Sequence, residues 1–292
     1  MPENEQDRQF KDIRICFVGA GSMAEAIIRG LINTKTVHPE QICAVNRGNQ
    51  ERLIRLKDKY GIHPALSDQK RDEFISQADI VFLAMKPTDA EAALKTLKPL
   101  IQPEALIVSV IAGLPIRAMQ RLLDRTSNIV RTMPNTSSTI GLGATGICFS
   151  QGTDEATRNM AEVLFQSIGS TVIVEEKFMD IVTGISGSGP AYFYYMMESL
   201  ITAGVKSGLD EQTAKQLTVQ TMLGAANMVN ITGESPESLL KKVTSPKGTT
   251  EAAIAVLEQN HVFESLQQAA LRAAARAHEI EEELFGKRDK QN

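Results

Sequence analysis

The chain has 292 residues, 42% of them hydrophobic and 23% charged, and a formal net charge of −4. That length accommodates two ordinary domains with a substantial core, and the mild negative charge gives no support to a nucleic-acid or membrane-surface role. No apolar run approaches transmembrane length, and Met1 to Lys11 is polar without an apolar signal region, so a loose N-terminal arm on a cytoplasmic protein is expected.

In chain order, Ile13 to Val18 is a β-branched apolar run that ends in Gly19-Ala20-Gly21-Ser22-Met23-Ala24, and a helical pattern with Ala26, Ile27, Leu31 and Ile32 follows. Strands are predicted at Ile42 to Asn46, Ile80 to Met85, Leu106 to Ile111, Ile129 to Met133, Thr145 to Phe149 and Thr171 to Val174. Helices are predicted at Gln50 to Tyr60, Asp89 to Leu97, Pro115 to Leu123 and Glu155 to Ile168. This alternation predicts a βαβ domain with a mainly parallel sheet. After Val174 the pattern becomes helical throughout, with a break near 175 to 182. Tyr192 to Val205 is one helix, Asp210 caps a second that runs to about Asn230, and Ser235-Pro236 starts a third. From Val262 to Leu284 apolar residues recur in steps of three and four, one stripe on a long helix. Gly286 to Asn292 is a charged tail. The division predicted is 1–175 for the α/β domain and 176–292 for the helical one.

Two glycine clusters stand out. Gly184, Gly187 and Gly189, interleaved with Ser186 and Ser188, precede Pro190 and read as a helix entrance. Ser245-Pro246-Lys247-Gly248-Thr249-Thr250 reads as a turn, with Thr249 and Thr250 as caps for a helix from Glu251 to Glu258. Polar helix entrances of this kind are suited to an anion.

The string G-x-G-x-x-A at Gly19, Gly21 and Ala24 follows a strand and opens a helix, the context of a dinucleotide site. Gly21 lets a pyrophosphate approach the backbone, and Ala24 lets the helix pack close to the strand. The second strand ends in Asn46-Arg47, without the carboxylate that takes the ribose hydroxyls of NAD, so NADP is favoured over NAD and Arg47 is the candidate for the 2′-phosphate. Ala84-Met85-Lys86-Pro87 ends another strand and would line the ligand crevice, while Pro87 also serves as ordinary helix punctuation. Met133-Pro134-Asn135-Thr136 is either a loop toward the nicotinamide or a strand stop. His38, His63, His261 and His278 are scattered, so neither a metal site nor a Ser-His-Asp triad is expected. Cys16, Cys43 and Cys148, odd in count and widely spaced, read as buried reduced thiols.

Val182-Thr183-Gly184-Ile185-Ser186-Gly187-Ser188-Gly189-Pro190-Ala191-Tyr192, Ala203-Gly204-Val205 with Gly208-Leu209, Gln220-Thr221 with Gly224-Ala225-Ala226, and Ser245 to Thr250 closely resemble the pyrroline-5-carboxylate reductase family. Gly19 to Met23, Met85-Lys86-Pro87 and Met133 to Thr136 match it as well. The resemblance spans about 13 to 285. It implies an α/β Rossmann-type dinucleotide-binding domain followed by an all-helical dimerisation domain. The implied activity is NAD(P)H-dependent reduction of 1-pyrroline-5-carboxylate to L-proline, the last step of proline biosynthesis. The implied assembly is a homodimer through the C-terminal helices, with larger rings such as a decamer built from dimers. The resemblance assigns Thr250 to the imine nitrogen, with Ser245, Gly248 and Thr249 around the substrate carboxylate and Glu176 near the product. On the cofactor side it adds Asp68, which stands where an asparagine often contacts the adenosine half. Departures from the family pattern are Asp68 itself, Ser137 for a common proline, and Lys247 for the glycine of S-P-G-G-T-T. A left-handed backbone at Lys247 would cost roughly 1 kcal/mol. Two other readings stay open: a related imine reductase, and a non-catalytic regulatory paralogue that binds NADP(H) or proline.

Overall fold

The computed structural model describes residues 10–126 and 128–286. Contacts divide the chain into two units, one made by the chain up to Ser188 together with the segment from Arg272 onward, the other by Gly189–Leu271. A single cut after residue 175 does not reproduce this grouping. Residues 176–188 and the last turns of the C-terminal helix belong with the sheet. The arm up to Gln9 and the tail beyond Gly286 lie outside the described residues. Phe10 is not part of a loose arm: it is buried in the core of the sheet unit.

The sheet unit alternates strands and helices. They are β1 (Ile15–Val18), α1 (Ser22–Asn33), β2 (Ile42–Val45), α2 (Gln50–Tyr60), β3 (His63–Pro64), α3 (Asp68–Ser76), β4 (Ile80–Leu83) and α4 (Pro87–Leu97). After these come β5 (Leu106–Ser109), α5 (Ile116–Leu123), β6 (Ile129–Met133), β7 (Gly143–Phe149), α6 (Glu155–Gln166) and β8 (Gly169–Ile173). The eight strands lie in the order β3-β2-β1-β4-β5-β6-β7-β8. Neighbours are parallel except for the antiparallel β6–β7 pair. Its first six strands have the order of a dinucleotide-binding fold, in which the crevice opens where the strand order reverses, between β1 and β4.

Side-chain alternation explains why the parallel strands are apolar throughout. Ile15 and Phe17 of β1 point to one face, where they pack with α1, α2 and α6; Cys16 and Val18 point to the other, against β4 neighbours and the helices α4 and α5. Phe17 stacks on Phe82 with ring centroids 4.5 Å apart, and both are fully buried. Burying one such ring stabilises by about 1.5–3 kcal/mol. Cys16, Cys43 and Cys148 are all free and buried. Burial, and then the charge of Glu176, push the Cys148 thiol up to about 12, which makes it a packing residue rather than a nucleophile.

The first glycine cluster leads into a helix at Gly189, as read, but it is itself helical. Met179–Val182 (α7) is already helical, and Thr183–Gly187 is a π-helical turn closed by Ser188 N–H donating to Thr183 O at 2.8 Å. Pro190 lacks an N–H, so the Ser186 carbonyl has no helical donor to accept from. Asn135 fills the gap with its side-chain amide, 3.0 Å from Ser186 O. Asn135 is therefore a structural link as well as a strand stop.

The helical unit comprises α8 (Gly189–Lys206), α9 (Glu211–Thr232), α10 (Pro236–Val243), α11 (Thr249–Gln259) and the start of α12 (Val262–Phe285). Asp210 and Ser235 cap α9 and α10 through the N–H groups of Thr213 and Ser238, and Gly233 ends α9 in the left-handed region. Gly204 lets α8 approach α9: a Cβ there would lie 3.0 Å from that of Ala214. Large apolar side chains remain uncovered, including Tyr195 at 81%, Ile231 at 80% and Phe263 at 70% exposure. An isolated unit of this size does not present so much apolar surface to water without a partner.

Candidate functional site

Five helix entrances are closed by their own cap residues: Asn49, Ser67, Asp154, Asp210 and Ser235 each accept from an N–H one turn on. The entrances at Gly21 and Gly248 have no capping side chain. Each leaves N–H groups directed outward at the positive end of a helix dipole, a setting for an anion.

At the first entrance Gly19 has φ +110, and a Cβ on it would sit 2.3 Å from the Ala84 carbonyl oxygen. Only glycine fits there. Its N–H donates to Val45 O, while Ala84 N–H donates to Val18 O, both at 2.9 Å, so the turn is locked to the ends of β2 and β4. Gly21 is the reverse case, since a Cβ added to it would meet nothing within 4 Å. That open space over unpaired amides fits a pyrophosphate. Ser22 and Met23 form the first turn of α1, and Ala24 is fully buried against the sheet. The Ala20 carbonyl is drawn away by Arg52, whose Nε donates to it at 2.9 Å. Arg52 in turn pairs with Glu25, which also accepts from Tyr60 at 2.8 Å and Lys59 at 3.0 Å. Burial alone would raise the Glu25 carboxyl, but the hydrogen bonds from Tyr60, Arg52 and Lys59 outweigh it and lower it to about 2.

The remaining sequence-predicted cofactor residues lie along the same carboxyl-end edge of the sheet. Asn46 follows β2 and its Oδ1 accepts from Gly48 N–H at 3.3 Å. Arg47 is 86% exposed, with Nη2 3.6 Å from Asp89 Oδ1. Ala84 and Met85 are half-buried after β4, Lys86 is exposed at the start of α4, and Pro87 is its first helical residue. Asp68 opens α3 and pairs with Arg71 at 2.7 Å.

At the second entrance Ser245 O accepts from Gly248 N–H at 3.0 Å, and Gly248 takes the cap position that the threonines were expected to hold. A Cβ on Gly248 would meet Ser245 Oγ at 2.5 Å and the Ser245 carbonyl oxygen at 3.0 Å, so a side chain there would push the Ser245 hydroxyl aside. Thr249 and Thr250 are the first two residues of α11, and among the described residues neither hydroxyl makes a hydrogen bond. Capping therefore does not account for them. Lys247 has φ +61, the strained conformation considered above, and its N–H donates to Glu251 Oε2 at 2.7 Å.

Glu176 is engaged elsewhere. Its Oε1 accepts from the N–H of Ile116 at 2.7 Å, capping α5, and from Arg131 Nη1 at 3.1 Å. Arg131 is 5% exposed and also pairs with buried Glu281 of α12 at 3.3 Å. Burial raises the Glu281 carboxyl, partly offset by Arg131 and Arg117. Both hydrogen bonds fall on Oε1, so Glu176 has a structural role at the start of α5 beside the product contact that the resemblance implies. Sequence reading missed Arg52, Glu25, Tyr60 and Asp89. An acid in the first turn of α1 and another in that of α4 were the available signals.

Two family models match the chain: one described as pyrroline-5-carboxylate reductase dimerisation over residues 176–280, and one described as NADP oxidoreductase, coenzyme F420-dependent, over 14–113. A pyrroline-5-carboxylate reductase of Bacillus subtilis is 44% identical over 275 residues, 94% of this chain and 92% of its own. The chain belongs to the pyrroline-5-carboxylate reductase family. The Pseudomonas aeruginosa reductase is 39% identical over 93% of this chain and 98% of its own. Among solved structures, the pyrroline-5-carboxylate reductase of Coxiella burnetii superposes with a TM-score of 0.84 at 36% identity, covering 92% of this chain and 98% of that one. The Plasmodium falciparum enzyme, solved with NADP bound, gives 0.82 at 29% identity, covering 93% and 99%.

Proposed function

We propose that the protein is an NAD(P)H-dependent pyrroline-5-carboxylate reductase that forms L-proline in the cytoplasm. The observation that carries this reading is the Gly248 entrance of α11, with open amides and an unengaged Thr250 hydroxyl, in a chain 44% identical to a reductase of that name. The glycine turn of β1 and α1 fits the pyrophosphate of NADP, and Arg47 fits a 2′-phosphate. When bound, the reduced nicotinamide supplies the hydride.

This chain's own residues bind and orient. The Gly248 amide is held by Ser245 O, so the amides of Thr249 and Thr250 receive the substrate carboxylate, aided by the helix dipole and the Lys247 charge. Ser245 holds the turn. Thr250 Oγ1 hydrogen-bonds the imine nitrogen and stabilises it as the adjacent carbon is reduced. No protein nucleophile is needed, and catalysis rests on positioning. The exposed apolar faces of α8, α9 and α11 are covered in a homodimer through the C-terminal helices, and dimers of this kind can build a decamer.

The test is NADPH oxidation with 1-pyrroline-5-carboxylate, in wild type and Thr250→Ala. Loss of one transition-state hydrogen bond lowers kcat/KM by roughly tenfold to a hundredfold. Wild-type protein that binds nucleotide but turns over with neither NADPH nor NADH would point instead to the regulatory paralogue, and an unchanged Thr250→Ala would remove that hydroxyl from the mechanism.

A further inference from the structure

The loop after β2 is where a dinucleotide-binding fold ordinarily places the carboxylate that takes the ribose hydroxyls of NAD. Here that loop presents Asn46, whose Oδ1 is occupied by Gly48 N–H, and Arg47. A carboxylate nevertheless reaches the same place from another element. Asp89, in the first turn of α4 after β4, lies with Oδ1 3.6 Å from Arg47 Nη2. Both side chains are accessible, at 86% for Arg47 and 41% for Asp89. An acid at a helix start is explained by the helix dipole, but the dipole does not explain the reach across to the β2 loop. Lys86, the cap residue of α4, is charged and exposed as well.

We propose that Asp89 is a second cofactor-selectivity residue, paired with Arg47, that accepts the ribose 2′-hydroxyl of NAD(H) and weakens NADP(H). The proposal rests on the nucleotide reading of the β1–α1 turn. With NADP, the carboxylate competes with the 2′-phosphate for one guanidinium and repels its negative charge. With NAD there is no phosphate to repel, and a carboxylate is a good acceptor for a hydroxyl proton. The pair thus offers one partner to each nucleotide, and the chain uses both with a modest preference for NADP.

Calorimetric titration of the full-length protein with NADP+ and with NAD+ separates the two effects. Exposed ion pairs and single hydrogen bonds of this kind are worth about two- to fivefold in an equilibrium constant. Asp89→Asn is expected to tighten NADP+ by about threefold and to weaken NAD+ by about threefold. In an Arg47→Ala background the NADP+ gain from Asp89→Asn shrinks, because there is no guanidinium left to compete for, while the NAD+ loss persists. Asp89→Ser, which keeps a helix-start residue, is expected to follow Asp89→Asn. A general loosening of α4 would weaken both nucleotides alike and so would overturn the proposal, as would an unchanged ratio of the two Kd values. If wild-type protein binds neither nucleotide, the cofactor reading falls and takes this proposal with it. Nucleotide binding with an unmoved ratio sinks the role of Asp89 alone.

Discussion

Replacing Gly21 by alanine separates the binding role of the glycine turn from its folding role. Gly21 has φ −73 and ψ −175, which any residue adopts, and a Cβ there meets nothing within 4 Å. Alanine is a poorer cap than glycine by up to about 1 kcal/mol, while its narrower unfolded ensemble returns about 0.4–1 kcal/mol. The two nearly cancel, and at about 2–4 °C per kcal/mol the melting temperature moves by no more than about 3 °C. The added methyl nevertheless stands where the pyrophosphate must come close. Losing one charge-assisted amide–phosphate hydrogen bond costs about 1.5–3 kcal/mol, or about 10- to 150-fold in Kd for NADP+. Calorimetry and a thermal melt on one preparation read both numbers. An unchanged Kd would mean that phosphate is held elsewhere, and a fall in Tm well beyond this range would mean that the space above Gly21 is not open in solution.

Gly19→Ala should do the opposite, because the methyl strikes the Ala84 carbonyl in a backbone conformation alanine resists; we expect about 2–4 kcal/mol lost in urea unfolding. Glu25 has a folded-state pKa depressed to about 2 from an ordinary 4.5, so its contribution is full above the unfolded value and is lost as pH falls between them. Glu25→Gln should therefore lower stability at neutral pH and flatten its decline below about pH 4.5, with thermal melts across that range as the check. Ile231→Asp, on an 80% exposed position of α9, should shift light-scattering mass toward monomer, and an unaffected mass would place the dimer contact elsewhere.

Much of the sheet unit was legible. Helix α2 was read to the residue, since Asn49 caps it and Gly61 at φ +77 ends it. Helix α3 went unread because it is polar along its length and buries only Ile75. Pro190 does lie in the first turn of α8, but the π turn at 183–187 before it went unread, and the compensating donor, Asn135, is distant in the chain. The same holds for residues 272–286. No local period says that Gly113 will pack on Ile280, or that Glu281 will pair with Arg131. Within the candidate site the glycines were readable, because a missing side chain is itself the signal. The Asp89–Arg47 pair was not, since it depends on which loops the sheet order makes neighbours.

The two glycine-capped helices begin without a capping side chain, whereas α2, α3, α6, α9 and α10 carry their own. On the proposed reading an anion completes each from outside, and its binding adds to the stability of the fold by mass action, about 2.7 kcal/mol at a hundred times Kd. Heat tolerance then becomes a gauge of occupancy: under the proposed function, an empty preparation understates how firmly the chain holds together when nucleotide and imino acid are abundant.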